Sequence, residues 1–278
     1  MVIVDGKKIA KEIIENLKKL PKPEKNFLGV FVVGFNQITE NFVNKKKKIA
    51  EELKIDFRIY RLPETIKNDE LRKEILKTAK HKTCGGVIVQ LPLPKHINKN
   101  YVLNVIPREK DIDVLGERAL GAFYNNRNPI LPPAVGVVEE IIKHLKLDIK
   151  NFRVAVIGRG FLVGRPISLW LLDKVNELSI FNSQTKNLKE KLKNFNLIIS
   201  GVGKANLFGP NDLKENAGII DFGYSIDKEG KIHGDFNSQL PIANYQSLSF
   251  YTKTPGGTGP ILIAKLFENF YKLYEQRL

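Results

Sequence analysis

Short apolar runs bounded by glycine constrain this chain more than any other feature. "FLGVFVVG", "GGVIVQL", "RVAVIG", "NLIISGVG" and "GIIDFG" are apolar at nearly every position, so they read as strands covered on both faces. The segments between them change period. "DGKKIAKEIIENLKKL" places Ile9, Ile13, Ile14, Leu17 and Leu20 on one helical stripe, closed by Pro21 and Pro23. The next helix, around "ENFVNKKKKIAEEL", turns Val43, Ala50 and Leu53 inward, and the one after the strand "DFRIYRL" does so with Leu71, Ile75 and Leu76. Strand alternating with helix is the pattern of an α/β protein built on parallel sheets with crossover helices.

The rhythm breaks once. Residues 106–136, "IPREKDIDVLGERALGAFYNNRNPILPPAVG", are rich in turn formers and show no clear periodicity. A long irregular segment in a compact protein is usually functional or a link between domains. A helix over "VVEEIIKHLK" follows, then a second alternating series from "RVAVIG" through "LSIF" to "GIIDFG", and a final helix, "PILIAKLFENFYKLYEQ". The expected architecture is therefore two α/β domains with a cleft between them.

Composition narrows the class. A lone cysteine, Cys84, excludes an internal disulfide framework and fits a reducing cytoplasm. The four histidines are scattered without metal-ligand spacing, so no metal is expected. The chain becomes charged before any apolar leader develops, and its longest apolar runs are too short to span a bilayer; no membrane role is expected. The net charge of +15 invites a nucleic-acid reading. The excess is mostly lysine spread over many helices, and no basic segment carries interleaved aromatics, so no nucleic acid is expected. The same field favours a polyanionic small substrate.

"RVAVIGRGFLVGRPISLWLL" reads as strand, glycine turn and helix. Gly158, Gly160 and Gly164 are spaced G-x-G-x-x-x-G, one residue longer than the usual dinucleotide fingerprint. Glycines there permit a tight turn and let a pyrophosphate approach the backbone at a helix N-terminus. The following strand ends in Asn182 and Ser183 rather than a carboxylate, and Arg159 supplies a cation, which favours NADP over NAD.

Read together, "DGKKIAK", "FVNKKKK", "GVIVQLPLPKHI", "PREKDID", "GRGFLVGRP" and "TPGGTGPILIAKL" closely resemble, in this order, the methylenetetrahydrofolate dehydrogenase/cyclohydrolase family. The resemblance covers essentially the whole chain. It implies a folate-binding catalytic domain over residues 1–137, with the C-terminal helix 257–278 packing back on it, and a Rossmann-like NADP domain over 138–256. It also implies oxidation of 5,10-methylenetetrahydrofolate with NADP⁺ and hydrolysis of the methenyl product to 10-formyltetrahydrofolate. Tetrahydrofolate derivatives would be the substrates, with a cytoplasmic homodimer serving one-carbon metabolism and purine biosynthesis.

By the same resemblance Lys46 is the central catalytic lysine, Gln90 works beside it, and Asp113 holds the pterin. Phe42, Val89, Leu91, Pro255, Gly256 and Gly257 fall at substrate contacts. Gly158, Arg159, Gly160, Ser183 and Tyr224 fall at cofactor contacts. Phe42 and Lys46 lie four apart on one helix face. Lys46, among like charges and partly buried, is expected to have a lowered pKa, while Lys45, Lys47 and Lys48 are expected in solvent.

The sequence departs from the family pattern in places. Phe42 replaces a tyrosine, Val114 a glycine beside Asp113, Gly160 a serine, Asn182 a histidine and Lys253 a proline, while "LPPAVG" stands for Pro-Cys-Thr-Pro-x-Gly. The changes gather around the pterin and the reacting carbon, so dehydrogenase activity is expected to survive more fully than cyclohydrolase activity. The alternatives are a shikimate- or amino-acid-type NADP dehydrogenase and a non-catalytic folate-binding paralogue.

Overall fold

The structure, a computed structural model, describes residues 1–238 and 247–276. It divides into two compact units, one of residues 11–133 and 263–278, the other of residues 1–10 and 134–262.

The first unit is built on a three-stranded parallel sheet. Its strands are β2 (Phe27–Val33), β3 (Asp56–Leu62) and β4 (Cys84–Val89), in the order β3-β2-β4. Around them run most of α1 (Gly6–Lys18), α2 (Gln37–Glu52), α3 (Asn68–Lys80), α4 (Lys99–Leu103), α5 (Glu117–Tyr124) and the later turns of α9 (Thr258–Glu275). Strand β2 is buried along nearly its whole length, as its unbroken apolar run requires. Helix α2 starts where Asn36 accepts the N–H groups of Ile38 and Thr39 on its side chain. Its inward stripe contains Val43, Ala50 and, at the C-cap, Leu53, all buried.

The second unit holds a six-stranded sheet in the order β1-β11-β8-β7-β5-β6. Its strands are β1 (Val2–Val4), β5 (Arg153–Ile157), β6 (Glu177–Phe181), β7 (Leu197–Ser200), β8 (Gly218–Asp221) and β11 (Phe250–Thr252). All of its pairings are parallel. Helices α6 (Pro133–His144), α7 (Gly164–Leu171) and α8 (Leu188–Leu192) connect or flank them, and β9 (Ser225–Ile226) pairs with β10 (Ile232–His233) in a small hairpin. From β5 the chain steps one way to β6 and then crosses back to β7, so the strand order reverses beside β5. In open parallel sheets ligands settle at the carboxyl ends of strands at such a reversal.

Three local expectations need correction. Leu20 lies beyond α1 and is exposed; Ile9, Ile13, Ile14 and Leu17 alone form the buried stripe. The irregular segment 106–136 contains helix α5, with Ala119 and Phe123 buried, whose eight residues are too few to show a period among the flanking turns. Helix α6 begins at Pro133, before "VVEEIIKHLK", because a proline in the first turn lacks only an N–H that no helix carbonyl would accept. Among the described residues no helix is long and apolar enough to cross a membrane.

Candidate active site

In the first unit, α2 and the end of β4 bring Lys46 and Gln90 together. The Lys46 ammonium donates to Gln90 Oε1 at 2.8 Å, and Gln90 Nε2 donates to the Leu91 carbonyl at 3.0 Å. The Gln90 backbone N–H donates to Phe31 O, extending the β2–β4 ladder one residue past β4. Both ends of the amide are thereby assigned, and its oxygen faces the lysine. Val89 is buried, and Leu91 and Phe42 are partly so.

Lys46 is only 6% exposed, whereas Lys45, Lys47 and Lys48 stand in solvent. Its pKa lies below the ordinary lysine value because burial disfavours the charged form, while the charge of Asp113 pulls it back up. The direction is as expected but the cause is not: desolvation dominates, and the neighbouring lysines play no leading part. Lys45 instead holds its ammonium 5.5 Å from the centre of the Phe42 ring. Asp113 mirrors Lys46, with burial raising its pKa and the Lys46 charge lowering it.

Asp113 sits in a turn fixed from both sides. Asp111, fully buried, accepts the N–H groups of Leu115 (3.0 Å) and Gly116 (2.7 Å) on Oδ2. Burial pushes its carboxyl up to about 6 against those bonds. From α9, the buried Asn269 amide donates to Ile112 O (2.9 Å) and Leu131 O (2.8 Å). Val114, where the family resemblance implies glycine, is buried with φ at +56°, in the left-handed region that β-branched residues avoid.

The second unit carries the expected cofactor residues. Gly158 follows β5 with φ at +102°, and a Cβ there would lie 3.1 Å from Gly201 O. A Cβ on Gly164, at the start of α7, would fall 1.9 Å from Gly158 O, so only glycine lets helix and turn meet. Gly160 is different: a Cβ on it would touch nothing within 4 Å. Its backbone does not demand glycine, consistent with a serine there in the family.

A cavity of about 500 Å³ is lined by Arg159, Gly164, Arg165, Ser168 and Ile180. Arg165 Nε donates to Arg159 O, tying the two arginines across the turn. The Ser168 hydroxyl is buried and has no hydrogen-bond partner among the described residues. Leu162, Ile180 and Val202, all close to half exposed, add an apolar rim uncommon for free surface. Two guanidinium groups, a glycine turn, an orphan hydroxyl and exposed aliphatic side chains fit a phosphorylated dinucleotide. Ser183 lies exposed beyond β6 in a turn closed by Asn182, whose Oδ1 accepts the Gln184 N–H; Tyr224 lies just past β8. The strand ends Ile157, Phe181, Ser200 and Asp221 are aligned by register, which puts all these residues on one edge of the sheet.

Pro255, Gly256 and Gly257 belong to the second unit, between β11 and α9. Gly256 has φ at +103°, and a Cβ on Gly6 would fall 1.7 Å from Gly257 O, so this loop is packed against the start of α1. Lys46, Gln90 and Asp113 belong to the first unit. Among the described residues no group of histidine, cysteine or carboxylate side chains could hold a metal ion.

Residues 4–113 match the catalytic domain of tetrahydrofolate dehydrogenase/cyclohydrolase, and residues 132–278 match its NAD(P)-binding domain. The chain belongs to this family. The "Bifunctional protein FolD" of Staphylococcus aureus is 34% identical over 272 residues, which cover 96% of this chain and 94% of that protein. The crystal structure of FolD from Campylobacter jejuni, a methylenetetrahydrofolate dehydrogenase/cyclohydrolase, matches with a TM-score of 0.93 at 31% identity over the full length of both chains. The Trypanosoma brucei enzyme, crystallised with NADP cofactor and an inhibitor, shares the fold at a TM-score of 0.91 and 24% identity, over 99% of this chain and 98% of that one. Membership across both halves does not favour the shikimate-type or non-catalytic alternatives.

Sequence reasoning missed Arg165, Ser168, Asp111 and Asn269. Arg165 stood in the same glycine string; the other three show their roles only through burial.

Proposed function

We propose that this chain oxidises 5,10-methylenetetrahydrofolate with NADP⁺ and hydrolyses the methenyl product to 10-formyltetrahydrofolate. The carrying observation is the buried Lys46–Gln90 contact of 2.8 Å, with Lys46 and Asp113 within electrostatic reach of each other. The unit of residues 11–133 and 263–278 would bind the folate and the other unit the cofactor.

Gly158, Gly164, Arg159, Arg165 and Ser168 would hold NADP, with Ser183 and Tyr224 at the neighbouring strand ends. Bound there, the nicotinamide supplies a hydride acceptor for the methylene carbon. NADP is preferred to NAD because the two arginines favour an extra phosphate and β6 ends without a carboxylate for ribose hydroxyls.

Asp113 would accept paired N–H groups of the pterin on its carboxyl oxygens and so fix the ring, the Lys46 charge favouring the ionised form against burial. In hydrolysis a water oxygen bonds to the methenyl carbon and its proton passes to Lys46. The carbon–N5 bond then breaks as N5 takes that proton from Lys46 and the remaining hydroxyl proton leaves to solvent, so the added oxygen becomes the carbonyl of the formyl group on N10. Lys46 suits both transfers because burial raises its neutral fraction, and Gln90 Oε1 holds one N–H so that the lone pair keeps a fixed direction. Phe42 offers a ring for stacking but no hydroxyl, and Val114 crowds the pterin-side turn. Hydrolysis is therefore the activity reduced relative to oxidation.

The family resemblance also supports a cytoplasmic homodimer feeding one-carbon units to purine synthesis, with Pro255, Gly256 and Gly257 contacting folate. The test is a spectrophotometric assay with methylenetetrahydrofolate and NADP⁺ or NAD⁺. Methenyl absorbance should rise faster with NADP⁺ and then decay by enzyme-dependent hydrolysis. No methenyl formation with either cofactor would refute the proposal.

A further inference from the structure

We infer that Asp235 is a positioning residue for the cofactor: its buried carboxylate holds the backbone of the loop Gly201–Lys204, one wall of the crevice above the glycine turn. The inference rests on the cofactor reading given above.

Asp235 is fully buried, and the loop it holds is not; Val202, Gly203 and Lys204 are exposed. Asp235 Oδ2 accepts the Ser200 hydroxyl at 2.6 Å and the Val202 N–H at 2.7 Å, and Oδ1 accepts the Lys204 N–H at 2.7 Å. One carboxylate thus spans the loop from the last residue of β7 onward. The loop in turn shapes the crevice. Gly201 O is the atom that a Cβ on Gly158 would meet, and a Cβ on Gly201 would fall 2.6 Å from Val163 at the start of α7. It therefore touches both arms of the glycine turn and carries Val202, part of the exposed apolar rim.

The carboxylate is held in an expensive place. A Cβ on Gly223 would lie 2.4 Å from Asp235 Oδ1, and one on Gly234 would lie 2.1 Å from Asp221 Oδ2, so both acids fold over bare backbone. Asp221, itself buried, feels the Asp235 charge and accepts the N–H groups of Gly223 and Phe236. Through its own backbone Asp221 bonds the Thr252 and Thr258 hydroxyls on either side of Pro255–Gly257. Burying one acid against another is unfavourable, and a loop needing only a cap could use a serine or asparagine. What the carboxylate adds is acceptor capacity on both oxygens. Asparagine in its place must turn its NH₂ toward either Lys204 N–H or Val202 N–H, leaving one partly buried amide facing a donor instead of an acceptor.

The test compares Asp235→Asn and Ser200→Ala with the full wild-type chain. NADPH affinity is read by fluorescence titration, and exchange of the Val202 and Lys204 amides by NMR without cofactor. Asp235→Asn should weaken NADPH about tenfold, raise KM for NADP⁺ more than it lowers kcat, and speed exchange at one or both amides. Ser200→Ala, which keeps the carboxylate and both amide bonds, should weaken NADPH by about threefold and carries the test if Asp235→Asn does not fold. A folded Asp235→Asn protein of lower stability but NADPH affinity within about twofold of wild type would reduce Asp235 to a structural role and overturn the inference. If Asp235→Asn does not fold, unchanged affinity in Ser200→Ala overturns it. Wild-type protein that fails to bind NADPH would instead overturn the cofactor reading itself.

Discussion

The two units build their sites by opposite means. In the first, the proposed site is made of side chains that burial has made unusual: Lys46 with a lowered pKa, Asp113 and Asp111 with raised ones, and Gln90 locked between Lys46 and Leu91 O. In the second, the proposed site is made of backbone, with glycines that admit no Cβ and partly buried amides of an exposed loop held by one buried carboxylate. A site made of titrating side chains loses chemistry when one group is replaced but keeps its shape. A site made of backbone loses shape first and affinity with it.

The largest effect expected from that contrast is at Lys46. Lys46→Ala should lower methenyl hydrolysis by about 10²–10⁴-fold, the usual worth of a positioned acid–base group, while NADPH titration stays at wild-type affinity. Loss of NADPH binding in this variant would break the division. The complementary change is Gly164→Ala, whose added methyl meets Gly158 O at 1.9 Å. Overpacking of this kind costs about 1–3 kcal/mol. It should appear as weaker NADPH binding and a lower Tm, with binding of a folate ligand unaltered.

Stability should respond to pH through the buried acids. Folded Asp221 keeps its proton up to about pH 7 and Asp111 up to about 6, each raised above the ordinary carboxylate value first by burial. The unfolded chain releases both protons near pH 4. Between those limits the folded state binds more protons, so stability is greatest at the acid end and falls as pH rises, by up to about 1.4 kcal/mol per pH unit for each group. Above pH 7 this contribution is flat. Urea denaturation from pH 5 to 8 checks the slope, and Asp221→Asn should remove its upper part. The smallest effect on stability is Gly160→Ser, where an added Cβ meets nothing within 4 Å among the described residues; urea denaturation should show a change within about 0.5 kcal/mol.

Much of this was legible in the sequence, for identifiable reasons. The strands β2, β4, β5, β7 and β8 announced themselves because both faces of a parallel strand are buried, which leaves an unbroken apolar run. The strands β1, at the sheet edge, and β11, between β1 and β8, were not read: three residues each are too few to carry a period. Lys46 emerged only from the family resemblance, although the inward stripe of Val43, Ala50 and Leu53 passes through it, three residues after Val43 and four before Ala50. The acids Asp111, Asp221 and Asp235 stayed hidden because sequence shows that a carboxylate is present but not that it is dry. Val114 could be marked as a departure, yet its positive φ needed the backbone.

Burial lowers the proton affinity of Lys46, and that can be measured directly. ¹³C-labelled lysine, with Lys46→Arg used to assign the resonance, gives its titration by NMR in the unliganded protein. Lys46 should titrate below the ordinary lysine value, and lower still in Asp113→Asn, where the charge that raises it is gone. A Lys46 that titrates at the ordinary lysine value would contradict the account.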